Sequence, residues 1–465
     1  MTMAYATTNP FTGETLKTFP NATDAEVQQA LQQGDAAFRQ WKAKPVSQRV
    51  TVLQKAADLL RANRNEYAKM LTLEMGKLLT EAKGEVELSA AIFEYYVHNA
   101  EAQLAPQKLP CKDPAVSDAV LVHDPLGIIL AIEPWNFPYY QIARIIAPQL
   151  AAGNVVILKH ASNVPQCAAL FEKLMLDAGL PQGGFTNLYA TRDQIETIIN
   201  DPRVHGVALT GSEGAGAIVA AQAGKAMKKA TLELGGSDAF IVLDDADIEK
   251  AAKWAVFGRH WNAGQVCCSS KRIIVVESVY DAFMEKARAG VAALKAGDPM
   301  DPDTTLAPLS SQAAVDDLKK QIDQAVARGA KLEVIGAEVP SKGSFARPVL
   351  LTNVTLENPA FKCEFFGPVS MVFRVRDEAE AIAVANDSPF GLGGSVFTQD
   401  IERGRRVAAQ ISTGMVYINH PTAAKADLPF GGIRRSGFGR ELIDLGLKEF
   451  VNHKLIGVTD IDGNF

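Results

Sequence analysis

Apolar and polar positions recur on two different periods in this chain, and the change of period divides it. Over the first hundred residues the apolar positions follow helical spacing. Thr23-Asp24-Ala25-Glu26 reads as a capping box, with Glu26 placed to reach back to the Thr23 backbone, and it opens an apolar-periodic stretch through Trp41. A second amphipathic run begins near Ser47 and sets Val52, Leu53, Ala56, Leu59 and Leu60 on one face. Long helices continue to about Ala100, and the proline-bearing segment 103–117 reads as a connector. From about Ala119 short apolar runs alternate with amphipathic helical stretches. GIILAIE (127–133), NVVILK (154–159), FTNLYA (185–190) and HGVALTG (205–211) predict strands. Such alternation predicts βαβ units and a parallel sheet, the usual scaffold for a dinucleotide. A further α/β region starts at Asp238, with strand runs AFIVL, RIIVV, PVSMVFRV and MVYIN. No internal repeat or low-complexity tract interrupts the pattern.

Composition narrows the class. A chain of 465 residues is too long for one hydrophobic core and predicts two or three domains. With 47 Lys+Arg against 53 Asp+Glu, no basic stripe is left over for phosphates, which argues against a nucleic-acid partner. No apolar run reaches the roughly 18–20 residues of a membrane helix. The segment MTMAYATTNPFTGET lacks the features of a signal peptide. Five cysteines, two of them adjacent, do not make a disulfide framework, so a reduced, cytoplasmic enzyme is expected. Seven histidines without ligand spacing predict no metal site.

Reactive residue types are densest between Glu233 and Cys268. LELGGSD places Glu233 just before Gly235-Gly236, and NAGQVCCSSKR places Cys267 and Cys268 after a small, glycine-containing loop. A thiol is a weak nucleophile at its ordinary pKa of roughly 8.5. Backbone amides at a helix start can favour the thiolate, and a carboxylate nearby can act as base. The plain alternative is a cysteine serving as a small buried apolar group, against which the glycines and polar neighbours weigh. In PWNFP (134–138) two prolines pin the backbone around Asn136. Its amide can donate to a developing oxyanion, worth about 3–4 kcal/mol, or cap a helix. Thr210-Gly211-Ser212-Glu213-Gly214-Ala215-Gly216 follows a strand and opens a helix, where glycines admit a phosphate and the helix terminus favours an anion. It is not a clean G-x-G-x-x-G and lacks the P-loop Lys-Ser/Thr, so kinase or ATPase chemistry is unsupported.

In this order and spacing the strings resemble the aldehyde dehydrogenase superfamily nearly end to end, and most of all its bacterial succinic semialdehyde dehydrogenases. The landmarks are PWNFP, the strand ending in Lys159, TGS at 210–212, ELGG with Glu233, GQxC with Cys267, EFFGPV at 364–369, and PFGG…SGxGRE at 429–441. The resemblance implies an α/β fold in three parts. These are a Rossmann-type dinucleotide-binding domain (1–115 and 124–235), an α/β catalytic domain (236–444) and a small β oligomerisation element (116–123 and 445–465). It also implies that Cys267 is the nucleophile, with the thiohemiacetal oxyanion held by the Asn136 amide and the Cys267 N–H. Glu233 is then the base that activates water against the thioester. For the cofactor it implies Trp135, Lys159, Thr210, Gly211, Ser212, Glu364 and Phe366. Lys159 would hold the adenosine ribose, Ser212 a pyrophosphate oxygen and Glu364 the nicotinamide ribose, with Phe366 near the ring.

Two departures from the family pattern carry information. Many members place a Glu after the Lys strand to grip the adenosine 2′-hydroxyl. Here Lys159-His160-Ala161-Ser162 puts Ser162 there, so a 2′-phosphate is not repelled and NADP is expected to be accepted alongside or above NAD. The second departure concerns substrate. Arg144, one helical turn beyond Tyr140, is the family-like anchor for a distal carboxylate, while Trp261 stands where relatives often carry a second arginine. Lys425, shortly before PFGG, is a further candidate cation, whereas His160 and His420 have no role in the mechanism. The expected activity is therefore non-acylating, NAD(P)-dependent oxidation of an aldehyde, succinic semialdehyde foremost. A broad aliphatic or aromatic aldehyde dehydrogenase is the alternative that Tyr139, Tyr140 and Trp261 favour. Coenzyme A-dependent acylation would have no use for Glu233, and a silent binding protein would not need cysteine, base and amide together. The last strand, FVNHKLIGV, would be an unpaired edge in a monomer, so a homodimer or homotetramer is expected.

Overall fold

A computed structural model describes residues 5–461. The outermost residues of the first and last expected domain ranges, and the start of the segment compared with a signal peptide, lie outside the described residues. The helical opening consists of Asp24–Trp41, Val46–Ala62, Arg64–Met75 and Leu79–Leu104. Thr23 and Glu26 form the capping box that the spacing predicts, with Thr23 N–H donating to the Glu26 carboxylate at 2.7 Å. In the second helix Leu53, Ala56 and Leu60 are buried, and Val52 and Leu59 pack partly buried beside them. Segment 103–117 is more than a connector. The long helix runs to Leu104, and Gln107–Lys108 is a short strand paired with Leu121 and Val120. Two polar residues carry no periodic signal, which is why pattern alone passes over them.

The first sheet has six strands in the order Gly437–Phe438, Lys229–Glu233, Val204–Thr210, Ile128–Glu133, Val155–His160, Phe185–Asn187. Its strands are parallel except Gly437–Phe438, which returns antiparallel from far along the chain. Lys229–Glu233 escaped the pattern because its first two residues are polar-facing and only its last three are buried. Strand pairing sets Glu133 beside His160, Ile132 beside Leu209, and Thr210 beside Glu233. His160, Glu133, Thr210 and Glu233 thus end four neighbouring strands at one carboxyl edge. Residues in register on a parallel sheet face the same side, and that edge is where open α/β sheets bind ligands.

The second sheet has seven strands, ordered Lys331–Val334, Val349–Thr352, Val369–Val375, Arg272–Val276, Ala239–Val242, Gly394–Phe397, Tyr417–Ile418. A third, of three strands, sets Val451–Thr459 antiparallel to Val116–Pro125 and then Gln107–Lys108. The largest core joins the N-terminal helices, the first sheet and the late residues Leu442, Leu447 and Phe450. The chain's end is thereby bound to its first half. Among the described residues no helix is long and apolar enough to cross a membrane.

Candidate active site

Cys267 stands where two cavities meet. One, of about 510 Å3, is lined by Phe137, Tyr140, Arg144, Trp261, Cys267 and Lys425, among others. The other, of about 270 Å3, is lined by Asn136, Thr210, Glu233, Cys267, Glu364 and Phe366. Trp135 lines this second cavity and also a third, of about 720 Å3, that holds Lys159, Ser162 and Arg192. The three form a path from the Lys159 cleft past Trp135 to the sulfur and out through an aromatic tunnel. Most residues singled out from the sequence therefore share one continuous site.

The cysteine is presented by a turn, not by a helix start. Trp261–Gly264 is a tight turn of 3-10 type in which Asn262 and Ala263 adopt φ of 51° and 54°, and Cys267 follows in irregular backbone before Arg272–Val276. Left-handed backbone at a non-glycine is held only by its surroundings. Here Asn262 N–H donates to the Glu81 carboxylate at 2.9 Å and Asn262 Nδ2 to Asn136 O at 3.0 Å. Side chains therefore do what the sequence assigned to helix amides. The Cys268 thiol lowers the Cys267 pKa most, with Lys271 and Arg144 adding positive potential against burial.

Asn136 does not cap a helix, since Phe137 occupies that place before Pro138–Ala152. Its Nδ2 donates to Gln265 O at 3.1 Å, which aims the amide at the Cys267 loop and leaves its second N–H for an oxyanion. Glu85 fixes this segment. One carboxylate oxygen accepts Tyr139 N–H at 2.8 Å and Tyr140 N–H at 3.2 Å, and Lys77 neutralises the other.

Glu233 is 3 % exposed, and burial, then the Glu441 carboxylate, push its pKa well above the ordinary range. A Cβ at Gly431, in PFGG, would stand 2.6 Å from Glu233 Oε1, so only glycine leaves the base its room. Arg144 has partners the sequence did not foresee. It is ion-paired with Glu441, donates from Nη2 to Thr210 Oγ1 at 2.8 Å, and donates from Nη1 to the Tyr140 hydroxyl at 3.3 Å. Lys425 is exposed, and among the described residues no carboxylate pairs with it. Trp261 stacks on Phe257 and tilts against Phe137. His160 donates from Nε2 to Pro138 O at 3.1 Å and accepts Ala161 N–H at Nδ1 at 2.8 Å, and His420 packs on Trp254.

The residues expected at the cofactor have equally specific surroundings. Ser212 caps Glu213–Lys225, accepting Ala215 N–H at 3.3 Å, beside Thr210 and Gly211. Phe366 meets Trp135 edge-on at 5.7 Å. Glu364 accepts Gly236 N–H at 3.1 Å and pairs with Lys271 at 2.8 Å. Lys271, fully buried, also donates to Cys267 O at 2.6 Å and Val266 O at 2.7 Å, tying the Glu364 carboxylate to the backbone of Cys267. Arg259 straps the same two segments, reaching Phe365 O at 2.8 Å and Gly264 O at 3.3 Å. Lys159 and Arg192 sit close enough to repel, and burial together with Arg192 brings the Lys159 pKa down to about 8. Neither is ion-paired with a carboxylate among the described residues, while Asp193 and Asp317 also line the cleft.

Glu81, Glu85, Glu133, Arg192, Lys271, Arg259 and Glu441 went unnoticed as site residues in the sequence. Arg259 had a usable signal, a cation among the apolar residues of WAVFGRHW that calls for a buried partner, whereas Lys271, in SSKR, had none. Arg192 carries only a weak one, a cation at the first position of a capped helix that favours acids there.

With this geometry in view, comparison with known proteins is informative. Residues 2–456 match the model of the aldehyde dehydrogenase family. The chain is 49% identical over 452 residues to succinate-semialdehyde dehydrogenase (NADP(+)) of Deinococcus radiodurans, covering 97% of this chain and 94% of that one. It is 44% identical over 457 residues to succinate-semialdehyde dehydrogenase (NADP(+)) 1 of Mycobacterium tuberculosis, covering 98% and 100%. The crystal structure of succinic semialdehyde dehydrogenase from Streptococcus pyogenes in complex with NADP+ superposes with a TM-score of 0.96 at 46% identity, covering 98% of this chain and 100% of that one.

Proposed function

We propose, from the premise that this chain belongs to the aldehyde dehydrogenase family, that it oxidises succinic semialdehyde to succinate and takes NADP in preference to NAD. The observation that carries the chemistry is the meeting of two cavities from opposite sides at Cys267, with Asn136 and Glu233 lining the inner one. An aldehyde enters by the tunnel and the cofactor by the cleft, so the acceptor and the carbonyl face each other across one sulfur.

Cys267 thiolate attacks the carbonyl carbon, and the free N–H of Asn136 and the Cys267 amide stabilise the oxyanion of the thiohemiacetal. The bound cofactor supplies the acceptor for two electrons and a hydrogen. Glu233 then removes a proton from water as its oxygen bonds to the thioester carbon, and the C–S pair returns to Cys267. The residues suited to NADP are Lys159, Ser162 and Arg192 at the 2′-phosphate, Thr210, Gly211 and Ser212 at the pyrophosphate, and Glu364 with Lys271 at the nicotinamide ribose. Trp135 and Phe366 wall the passage between the halves. The mutual repulsion of Lys159 and Arg192 in this cleft, neither of them ion-paired among the described residues, supports a 2′-phosphate.

Arg144 acts in this reading by its field and by ordering Tyr140, because Glu441 and Thr210 already hold its donors. Lys425, at the tunnel mouth, is the cation free to take the distal carboxylate. Lys425→Met should raise KM for succinic semialdehyde about tenfold while leaving butanal within twofold; equal changes for both would remove Lys425 from this role. A steady-state screen of aldehydes against both cofactors tests the function as a whole, and a kcat/KM for succinic semialdehyde below that for benzaldehyde would overturn the substrate. The Phe257–Trp261 stack and the tilted Trp254–His420 pair favour that second outcome, a broad aromatic aldehyde dehydrogenase. The free edge of Val451–Thr459 and its exposed Leu455, Ile456 and Val458 support a dimer or tetramer joined there. The free cysteines suit the reducing cytoplasm.

A further inference from the structure

Glu133 is buried at the carboxyl end of a central strand, 2 % exposed, and neither of its oxygens has a hydrogen bond of ordinary geometry among the described residues. The groups facing it are the Glu441 carboxylate, the Arg144 guanidinium and the Thr210 hydroxyl. Its strand neighbour His160 has both ring nitrogens engaged by the backbone, Nε2 donating to Pro138 O at 3.1 Å and Nδ1 accepting Ala161 N–H at 2.8 Å. Glu233 is faced in turn by Glu441, Arg144, Cys267 and Arg440. Glu133, Glu233 and Glu441 are therefore buried carboxylates that look onto one guanidinium. Arg440 is a second cation on Glu233, so with all three carboxylates ionised one negative charge would lie uncompensated away from water, which burial disfavours. The cluster therefore holds a proton near neutral pH.

Geometry says where. Arg144 pairs directly with Glu441, which makes Glu441 the ionised member. Glu133 and Glu233 are left on the strands either side of Val204–Thr210, at the level of Thr210, whose hydroxyl Arg144 Nη2 holds at 2.8 Å. We propose that Glu133 and Glu233 share one proton across the Thr210 hydroxyl, and that Glu133 stores it while Glu233 works as base. In the step, protonated Glu233 gives its proton to Thr210 Oγ1 as the Thr210 O–H proton passes to ionised Glu133. The pair's total charge is unchanged, and Glu233 is left ionised towards the acyl group. The proton taken later from water leaves Glu233 through the cavity it lines once the products depart. Glu133 touches neither substrate nor cofactor, so it is a positioning residue. Its role rests on the hydrolytic function proposed above for Glu233.

Glu133→Gln separates storage from simple repulsion. Without the store Glu233 keeps its proton, so turnover at neutral pH should fall at least tenfold, and the acid limb of the kcat profile should move to higher pH. The single-turnover burst of reduced cofactor should remain. If Glu133 only repelled its neighbour, the limb would move to lower pH with turnover kept or raised, and the proposal would be overturned. A second measurement does not depend on that variant folding. At pH 7 the infrared spectrum of the wild-type protein should show the carbonyl stretch of a buried protonated carboxyl, and Glu233→Gln should retain it on Glu133. Loss of that band in Glu233→Gln also overturns the proposal. Failure of the underlying function has a different signature: the wild-type protein would give no burst with any aldehyde.

Discussion

At the scale of single residues, burial decides protonation and protonation decides rate. Glu233 must be ionised to accept a proton from water, yet burial raises its pKa. Turnover should therefore fall as pH drops through a value above the ordinary carboxylate range. Glu233→Gln should cut kcat by about 10²–10⁴-fold while leaving the burst intact, as stopped-flow absorbance of the cofactor would record. Lys159 is a base with a lowered pKa, so its charge is present below about pH 8 and lost above it. KM for NADP should rise above that pH while KM for NAD stays flat. Arg192→Gln should raise KM for NADP about tenfold or more and leave NAD within twofold; equal loss for both cofactors would sink the 2′-phosphate assignment. Cys267, Glu233 and Asn136 were legible as candidates because each stands in a short string with few alternative uses. Arg192 and Lys271 were not, because their meaning lies in the company of residues 33 and 93 positions away, Lys159 and Glu364 respectively.

At the scale of elements, the long helix Leu79–Leu104 is a brace for the site. Glu85 caps Pro138–Ala152 from the side and so sets the angle at which Asn136 leaves its strand, while Glu81 grips the turn before Cys267. Lys77, 1 % exposed, is the counter-charge to Glu85 and lies over the Phe137 ring at 3.9 Å. Lys77→Met would leave Glu85 buried and unpaired, a loss of about 3–5 kcal/mol. The Tm should fall, and kcat should fall beyond what the lower folded fraction explains, because Asn136 loses its alignment; Lys77→Arg should recover part of both. An unchanged Tm in Lys77→Met would show that the pair carries no such weight. The helical period of this stretch was plain in the sequence, but a period identifies which face is buried and not what that face supports. Lys229–Glu233 and Gly437–Phe438 were missed for a related reason: a strand too short to show an apolar pattern of its own acquires its identity from the neighbours that pair with it.

At the scale of the molecule, charge state and assembly set the limits of stability. His160 and His260 are buried neutral, with burial lowering each pKa to about 4. For a base whose folded pKa is depressed, stability is intact above about pH 6.5 and is lost as pH falls towards 4, by up to roughly 3 kcal/mol each. Denaturant midpoints between pH 7 and 4.5 should show that decline, and His160→Asn should flatten it. Sedimentation should report a dimer or tetramer, and Ile456→Pro, which removes a donor from the edge strand, should shift the population towards monomer. The sequence by itself determined the family and the α/β alternation, and it singled out Cys267, Glu233 and Asn136 as the candidates for nucleophile, base and oxyanion amide, because those depend on local chemistry and on order along the chain. Only the tertiary structure decided that Arg144 belongs to Glu441, that Lys271 joins Glu364 to the cysteine, and that three carboxylates surround one guanidinium. Such pairings depend on which strand ends lie side by side, and electrostatic energy varies with distance in space rather than with separation in sequence.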